Sequence, residues 1–107
     1  MSELFSRIQK LIESGEARVS EHGFDELSDD GLSAREAVAG AVTAKVIEEY
    51  PQYPKGACVL VLERDREDRP FHVVWGIPKG YNTPAVLITA YRPDPARWDE
   101  SFTRRME

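Results

Sequence analysis

Two histidines, one tyrosine and a group of arginines are the residues of this chain best suited to moving protons beside a phosphate. His22 and His72 are its only imidazoles, and imidazole both gives and takes a proton near neutral pH. Used without a metal, such a pair divides into a general base and a general acid. That division suits RNA cleavage, in which a ribose 2′-OH attacks its own phosphate. The protein then supplies proton transfer, positioning and a cation. Arg92, Arg97, Arg104 and Arg105 are the candidate cations, because a guanidinium meets phosphate through two parallel hydrogen bonds. Tyr91 can orient a phosphate or pass a proton. Each residue also has a structural reading. His22 shares a helix face with Asp25 and Glu26 and can be a surface histidine. His72 can be a half-satisfied strand residue, and Tyr91 a strand-end aromatic with its hydroxyl in water. Trp75 and Trp98 read as core.

Other chemistries have less to work with. A metal site would have to combine His22, Asp25 or Glu26, and His72, without a third strong ligand. Cys58 lies inside an apolar run, where a thiol is buried and inert. No phosphate-cradling glycine loop and no nucleophile-elbow motif occurs. No metal and no cofactor is therefore expected.

The elements that must carry these residues change character once along the chain. Leu4, Phe5, Ile8, Leu11 and Ile12 form a helical stripe, with Ser2 as cap and Gly15 at the stop. Ala17 to Val19 is at most a short extended piece. Ser20 caps a second helix, with Phe24 and Leu27 as its core contacts and Gly31 at its end. Ser33 to Glu36 is a capping box that opens a third helix, whose Ala34, Ala37, Val38, Ala41 and Val42 share one face. From Lys45 the period approaches two. Strands are expected at Lys45–Tyr50, Ala57–Glu63, Pro70–Ile77 and Ala85–Tyr91. In the third of these, Phe71, Val73, Trp75 and Ile77 share one face, and His72, Val74 and Gly76 the other. In the last, plain alternation sets Ala85, Leu87, Thr89 and Tyr91 against Val86, Ile88 and Ala90. Pro78 to Pro84 is a long turn region, readable as a lid. Trp98 and Phe102, four apart, predict a short closing helix. The sum is a single α+β domain over residues 1–107. Two or three N-terminal helices pack on one face of a mostly antiparallel four-stranded sheet.

Composition agrees with one globular domain. Of its 107 residues, 41% are hydrophobic and 31% charged, enough for one core and against disorder. No run is apolar enough to span a membrane. The charged N-terminal fifteen residues do not read as a secretory signal, and a single cysteine fits the reducing cytoplasm. The net charge of −5 speaks against non-specific nucleic-acid binding. It is uneven, however: residues 1–54 carry five basic against eleven acidic side chains, and residues 55–107 nine against eight. A basic site belongs in the second half.

The order of "RVSEHGFDEL", "DDGLSAREAVAGAVTAKVIEEYP", "CVLVLERD", "RPFHVVWGI", "AVLITAYRPDPARWD" and "FTRR" resembles the bacterial and archaeal domain-of-unknown-function 4258 family over residues 18–105. The resemblance implies a RelE-like fold within the wider barnase–EndoU–colicin–RelE group. It points to His22, His72 and Tyr91 as the catalytic constellation, with Glu48 and Tyr50 on the preceding strand. Arg92, Arg104 and Arg105 would bind phosphate. Asp30 stands where the family often has Arg, so a phosphate role there would have moved to the C-terminal arginines. The implied activity is a toxin-like, metal-independent endoribonuclease acting on RNA, alone or at the ribosome, and paired with a cognate antitoxin. The alternative is a non-catalytic domain that docks a protein partner, its acidic helices matching a basic surface. A small-molecule pocket between helices and sheet is the remaining reading.

Overall fold

A computed structural model describes residues 2–106. Its helices begin where the hydroxyl caps predict. Helix α1 is Glu3–Glu13, α2 is Glu21–Asp29 and α3 is Ala34–Gly40, followed by a 3₁₀ turn at Ala41–Thr43. Ser2 Oγ accepts from the Phe5 amide, Ser20 Oγ from Gly23 and Ser33 Oγ from Glu36. Each cap satisfies an amide that the helix itself leaves free.

The sheet has five strands rather than four: β1 Ala17–Val19, β2 Lys45–Tyr50, β3 Cys58–Arg64, β4 Pro70–Gly76 and β5 Ala85–Tyr91, in the order β1-β5-β4-β3-β2. The extra strand is the short piece before α2. It pairs parallel with β5, Ala17 opposite Ala85 and Val19 opposite Leu87. Three residues are too few to show a period, and their partner lies almost seventy residues away. The other pairings are antiparallel.

The helices cover one face. Phe5, Ile8, Ile12, Leu27, Ala37 and Ala41 pack against Val59, Val61, Phe71, Val73, Trp75 and Leu87 in a single core. Two expected core residues are not in it: Phe24 and Val42 are 54% and 57% exposed. The expected closing helix is also absent. Residues 93–106 instead form a string of turns closed by a bridge between Trp98 and Arg105. Asp99 Oδ1 accepts from the Thr103 and Arg104 amides, and this organises the chain as a loop. Among the described residues no helix is long and apolar enough to cross a membrane.

Two bulges decide which side chains reach the face that the helices leave open. On β2 the register passes from Val46 opposite Val61 to Glu48 opposite Leu60. Ile47 is the extra residue. On β5 it passes from Leu87 opposite Trp75 to Thr89 opposite Val74, with Ile88 extra. A one-residue slip exchanges the faces of everything beyond it. Val46 and Leu87 therefore face the helices. Glu48, Tyr50, Thr89 and Tyr91 join His72 on the open face, and Ala90 turns into the core. This corrects the plain alternation expected for β5, which put Leu87 and Tyr91 on one side.

Candidate active site on the open face of the sheet

His72 is the centre of the open-face cluster and has no exposed surface. Its Nε2 lies 2.7 Å from the Phe102 carbonyl and its Nδ1 3.1 Å from the Tyr91 hydroxyl. A carbonyl only accepts, so Nε2 carries the proton and Nδ1 accepts from Tyr91. Burial pushes the imidazole below its ordinary range. The bond to the Phe102 carbonyl pulls the other way, and the Arg105 charge adds to the lowering. The ring is neutral at pH 7 and fixed in one tautomer. Burial also raises the Tyr91 phenol, against the opposing charge of Arg105, so the hydroxyl keeps its proton.

The tail supplies the rest. The Trp98 ring stands edge-on to His72, 4.5 Å between centroids. The Arg105 guanidinium lies 4.9 Å over Trp98 and donates to Glu48 Oε1 at 2.8 Å. The Tyr50 hydroxyl donates to the same oxygen at 3.0 Å. The Arg105 bond outweighs desolvation and, with Tyr50, holds the Glu48 carboxyl below its ordinary range. Glu48, Arg105, Trp98, His72 and Tyr91 thus form one continuous chain of contacts. Beside it opens a cleft of about 540 Å³, lined by Tyr91, Arg92, Arg97 and Arg105 together with Trp98 and, among the described residues, one carboxylate, Asp94.

The other expected residues are placed as follows. Among the described residues His22 makes no hydrogen bond to His72 or Tyr91, and it does not line the cleft. The Ser20 hydroxyl donates to the Ile88 carbonyl. A side chain at Gly23 would collide with Leu87. The start of α2 is therefore pinned against β5, which brings His22 Nε2 to 3.4 Å from Thr89 Oγ1 and 3.3 Å from Glu26. Thr89 shares the open face with Tyr91, two residues on, or ~7 Å along the strand. Arg92 lines the cleft, but its guanidinium is engaged by Asp65 at 2.7 Å and by the Pro70 carbonyl. Its amide donates to Asp30, so that aspartate anchors the strand end. Arg104 is exposed. Its side chain enters no ion pair among the described residues and does not line the cleft.

Asp65 is the bracket for this end of the sheet. Burial pushes its carboxyl up, but the Arg69 amide, the Arg92 guanidinium and the Glu67 amide outweigh that and bring it down to about 2. Cys58 is buried and burial pushes its thiol up. Among the described residues no three His, Cys, Asp or Glu side chains converge as metal ligands would.

Sequence reasoning missed the covering role of Trp98 and the Phe102 carbonyl. Arg105 was recognised, but as a free cation rather than as Glu48's partner. Glu48 and Tyr50 carried only the signal of their place in the resemblance.

A family model described as a domain of unknown function, DUF4258, matches residues 19–92, most of the chain. No curated protein and no solved structure gives a significant match.

Proposed function

This chain belongs to the DUF4258 family of domains of unknown function, and for this member we propose a RelE-like, toxin-type endoribonuclease that works without a metal. One observation carries the reading. The Tyr91 hydroxyl is held by a neutral, buried imidazole at the lip of a cleft that also presents Arg92, Arg97 and Arg105.

The chemistry follows from the tautomer. Tyr91 donates to His72 Nδ1, so its oxygen has a lone pair to offer a substrate 2′-OH. That hydroxyl gives its proton to Tyr91 as the Tyr91 proton moves to Nδ1. The 2′-oxygen bonds to phosphorus, the P–O5′ bond breaks, and His22, as the general acid, gives a proton to the departing 5′-oxygen. The products are a 2′,3′-cyclic phosphate and a 5′-hydroxyl. Arg105, aimed by Glu48 and Trp98, faces the charge that builds on the phosphoryl oxygens. Tyr91 and His22 touch the substrate, while His72 acts through Tyr91. The proposed setting is the cytoplasm, with RNA free or on a ribosome as substrate and an antitoxin as the restraining partner.

The test is RNA integrity in a translating bacterial extract containing EDTA. Wild type should leave cyclic-phosphate ends. Tyr91→Phe keeps the ring and removes the relay, and His22→Ala removes an exposed imidazole. Each should slow cleavage by about 10²-fold or more with an unchanged circular dichroism spectrum. Equal cleavage by wild type and Tyr91→Phe would end the proposal. A second reading, a non-catalytic protein-binding domain, is favoured by the complete burial of His72. Intact RNA throughout, with a protein partner retained by wild type and both variants, would establish it.

A further inference from the structure

At the opposite end of the sheet from Tyr91, the loops of residues 51–57 and 77–84 are bonded into one platform. The Gly56 amide donates to the Tyr53 carbonyl, Ile77 to Ala57, and Lys79 to the Lys55 carbonyl at 2.9 Å. Gly56 has φ +134, and a side chain there would lie 2.1 Å from the Ile77 carbonyl oxygen. The two loops are thus locked at van der Waals distance.

Two tyrosines stand out of this rigid base, Tyr53 at 48% and Tyr81 at 70% exposure, although a tyrosine ring ordinarily gains by burial. Tyr53 lines two depressions. One, of about 230 Å³, has an apolar floor of Gly76, Ile77, Val86 and Ile88 with Lys55 at its rim. The other, of about 300 Å³, is lined by Arg7, Lys79 and Tyr81. Among the described residues neither has an aspartate or glutamate in its wall, in a protein whose net charge is −5. Arg7, Lys55 and Lys79 enter no ion pair among the described residues. Flat aromatic faces beside unneutralised cations are what a single-stranded nucleic acid requires, because bases stack and phosphates need charge. A protein partner would call for a larger apolar patch or a patterned mixture of charges.

We propose that the loop pair is a base-stacking subsite for single-stranded RNA, with bases on Tyr53 and Tyr81 and phosphates on Arg7, Lys55 and Lys79. This deepens the RNA reading and rests on it. The apolar floor at Gly76 lies four residues along β4 from His72, or ~13 Å. A short strand of RNA spans that distance.

The test is fluorescence anisotropy of the full-length protein with a labelled oligouridine carrying 2′-O-methyl riboses, which cannot be cleaved by 2′-OH attack. Wild type should bind, more weakly as salt rises. Tyr53→Ala and Tyr81→Ala should each weaken binding about tenfold, while Tyr53→Phe and Tyr81→Phe, which keep the ring, should bind as wild type does. Lys55→Ala with Lys79→Ala should flatten the logarithmic salt slope by about 1.4. Tyrosine-dependent binding by a protein that cuts no RNA would keep the subsite and remove the nuclease reading. Cleavage together with binding indifferent to Tyr53 and Tyr81 would remove the subsite and keep the nuclease. Absence of binding by wild type would overturn the subsite outright.

Discussion

Glu63 is a buried acid in the core, and the cost of ionising it can be measured. It points from β3 into the helix-facing core and is 1% exposed. The indole N–H of Trp75 donates to Oε2 at 3.1 Å, whereas Oε1 has no partner among the described residues. Gly40 closes over it: a side chain there would lie 2.6 Å from Oε1. Burial pushes the carboxyl up to about 8, and the Trp75 bond only partly offsets this. The folded protein therefore keeps a proton on Glu63 that the unfolded chain releases above about 4.5. Between these two values the native state binds one proton more, so stability falls as pH rises, by about 1.4 kcal/mol per pH unit. The stability is full below about 4.5 and is lost by about 8. From pH 5.5 to 7.5 the loss attributable to Glu63 is about 3 kcal/mol. Glu63→Gln keeps the shape and an acceptor for Trp75 but cannot ionise. Urea denaturation of both proteins at the two pH values isolates the effect as a double difference. The variant should gain about 3 kcal/mol on wild type at the higher pH. A double difference near zero would mean that Glu63 is charged in the fold or reached by water, and the argument from its burial would fail.

Gly56→Ala combines an unfavourable φ with a backbone collision and should cost at least about 2 kcal/mol in denaturant titration; a smaller loss would show that the loop pair can part. Trp98→Ala removes a 6%-exposed ring that covers His72. It should cost about 3–5 kcal/mol and speed amide exchange in residues 93–106, and unchanged exchange would show that the tail is held elsewhere. Asp65→Asn should lower stability above pH 4, by an amount that shrinks as pH falls from the ordinary 3.8 through about 2. The sign follows because a depressed carboxylate stabilises only while ionised. A gap between the two proteins that stays constant with pH would contradict it.

What could be read from the sequence was whatever repeats or caps. The apolar stripe of α1, the hydroxyl caps at Ser2, Ser20 and Ser33, and the alternation of β4 each recur within one turn or one pleat, and the structure contains all of them. The failures have physical causes of another kind. Phe24 follows helical spacing, but α2 leans on β5 through Ser20 and Gly23 and leaves that ring outside. Trp98 and Phe102 are four apart as in a helix, but Asp99 takes the following amides for itself and turns the chain. The parallel β1–β5 pair depends on a contact that no local window contains. The candidate site is divided in the same way. His72 was placed on the correct face by period alone, whereas Tyr91 reaches that face only through the bulge at Ile88.

The family model ends at residue 92, and the site is finished by residues after it. The matched region provides the imidazole, the Tyr91 hydroxyl and the Glu48 carboxylate. The Phe102 carbonyl that selects the His72 tautomer, the Trp98 ring that covers it and the Arg105 cation all come from the tail. Without the tail, His72 Nε2 would face water and either nitrogen could carry the proton. The directed bond from Tyr91 to Nδ1 would then be one arrangement of two. Glu48 would lose the guanidinium that holds its carboxyl down. The matched region therefore supplies the candidate groups on the sheet, and the tail supplies the contacts that set their protonation states. A chemistry that depends on which nitrogen holds a proton belongs to the two together. The turn built on Asp99 is accordingly as much a part of the site as the strand that carries His72.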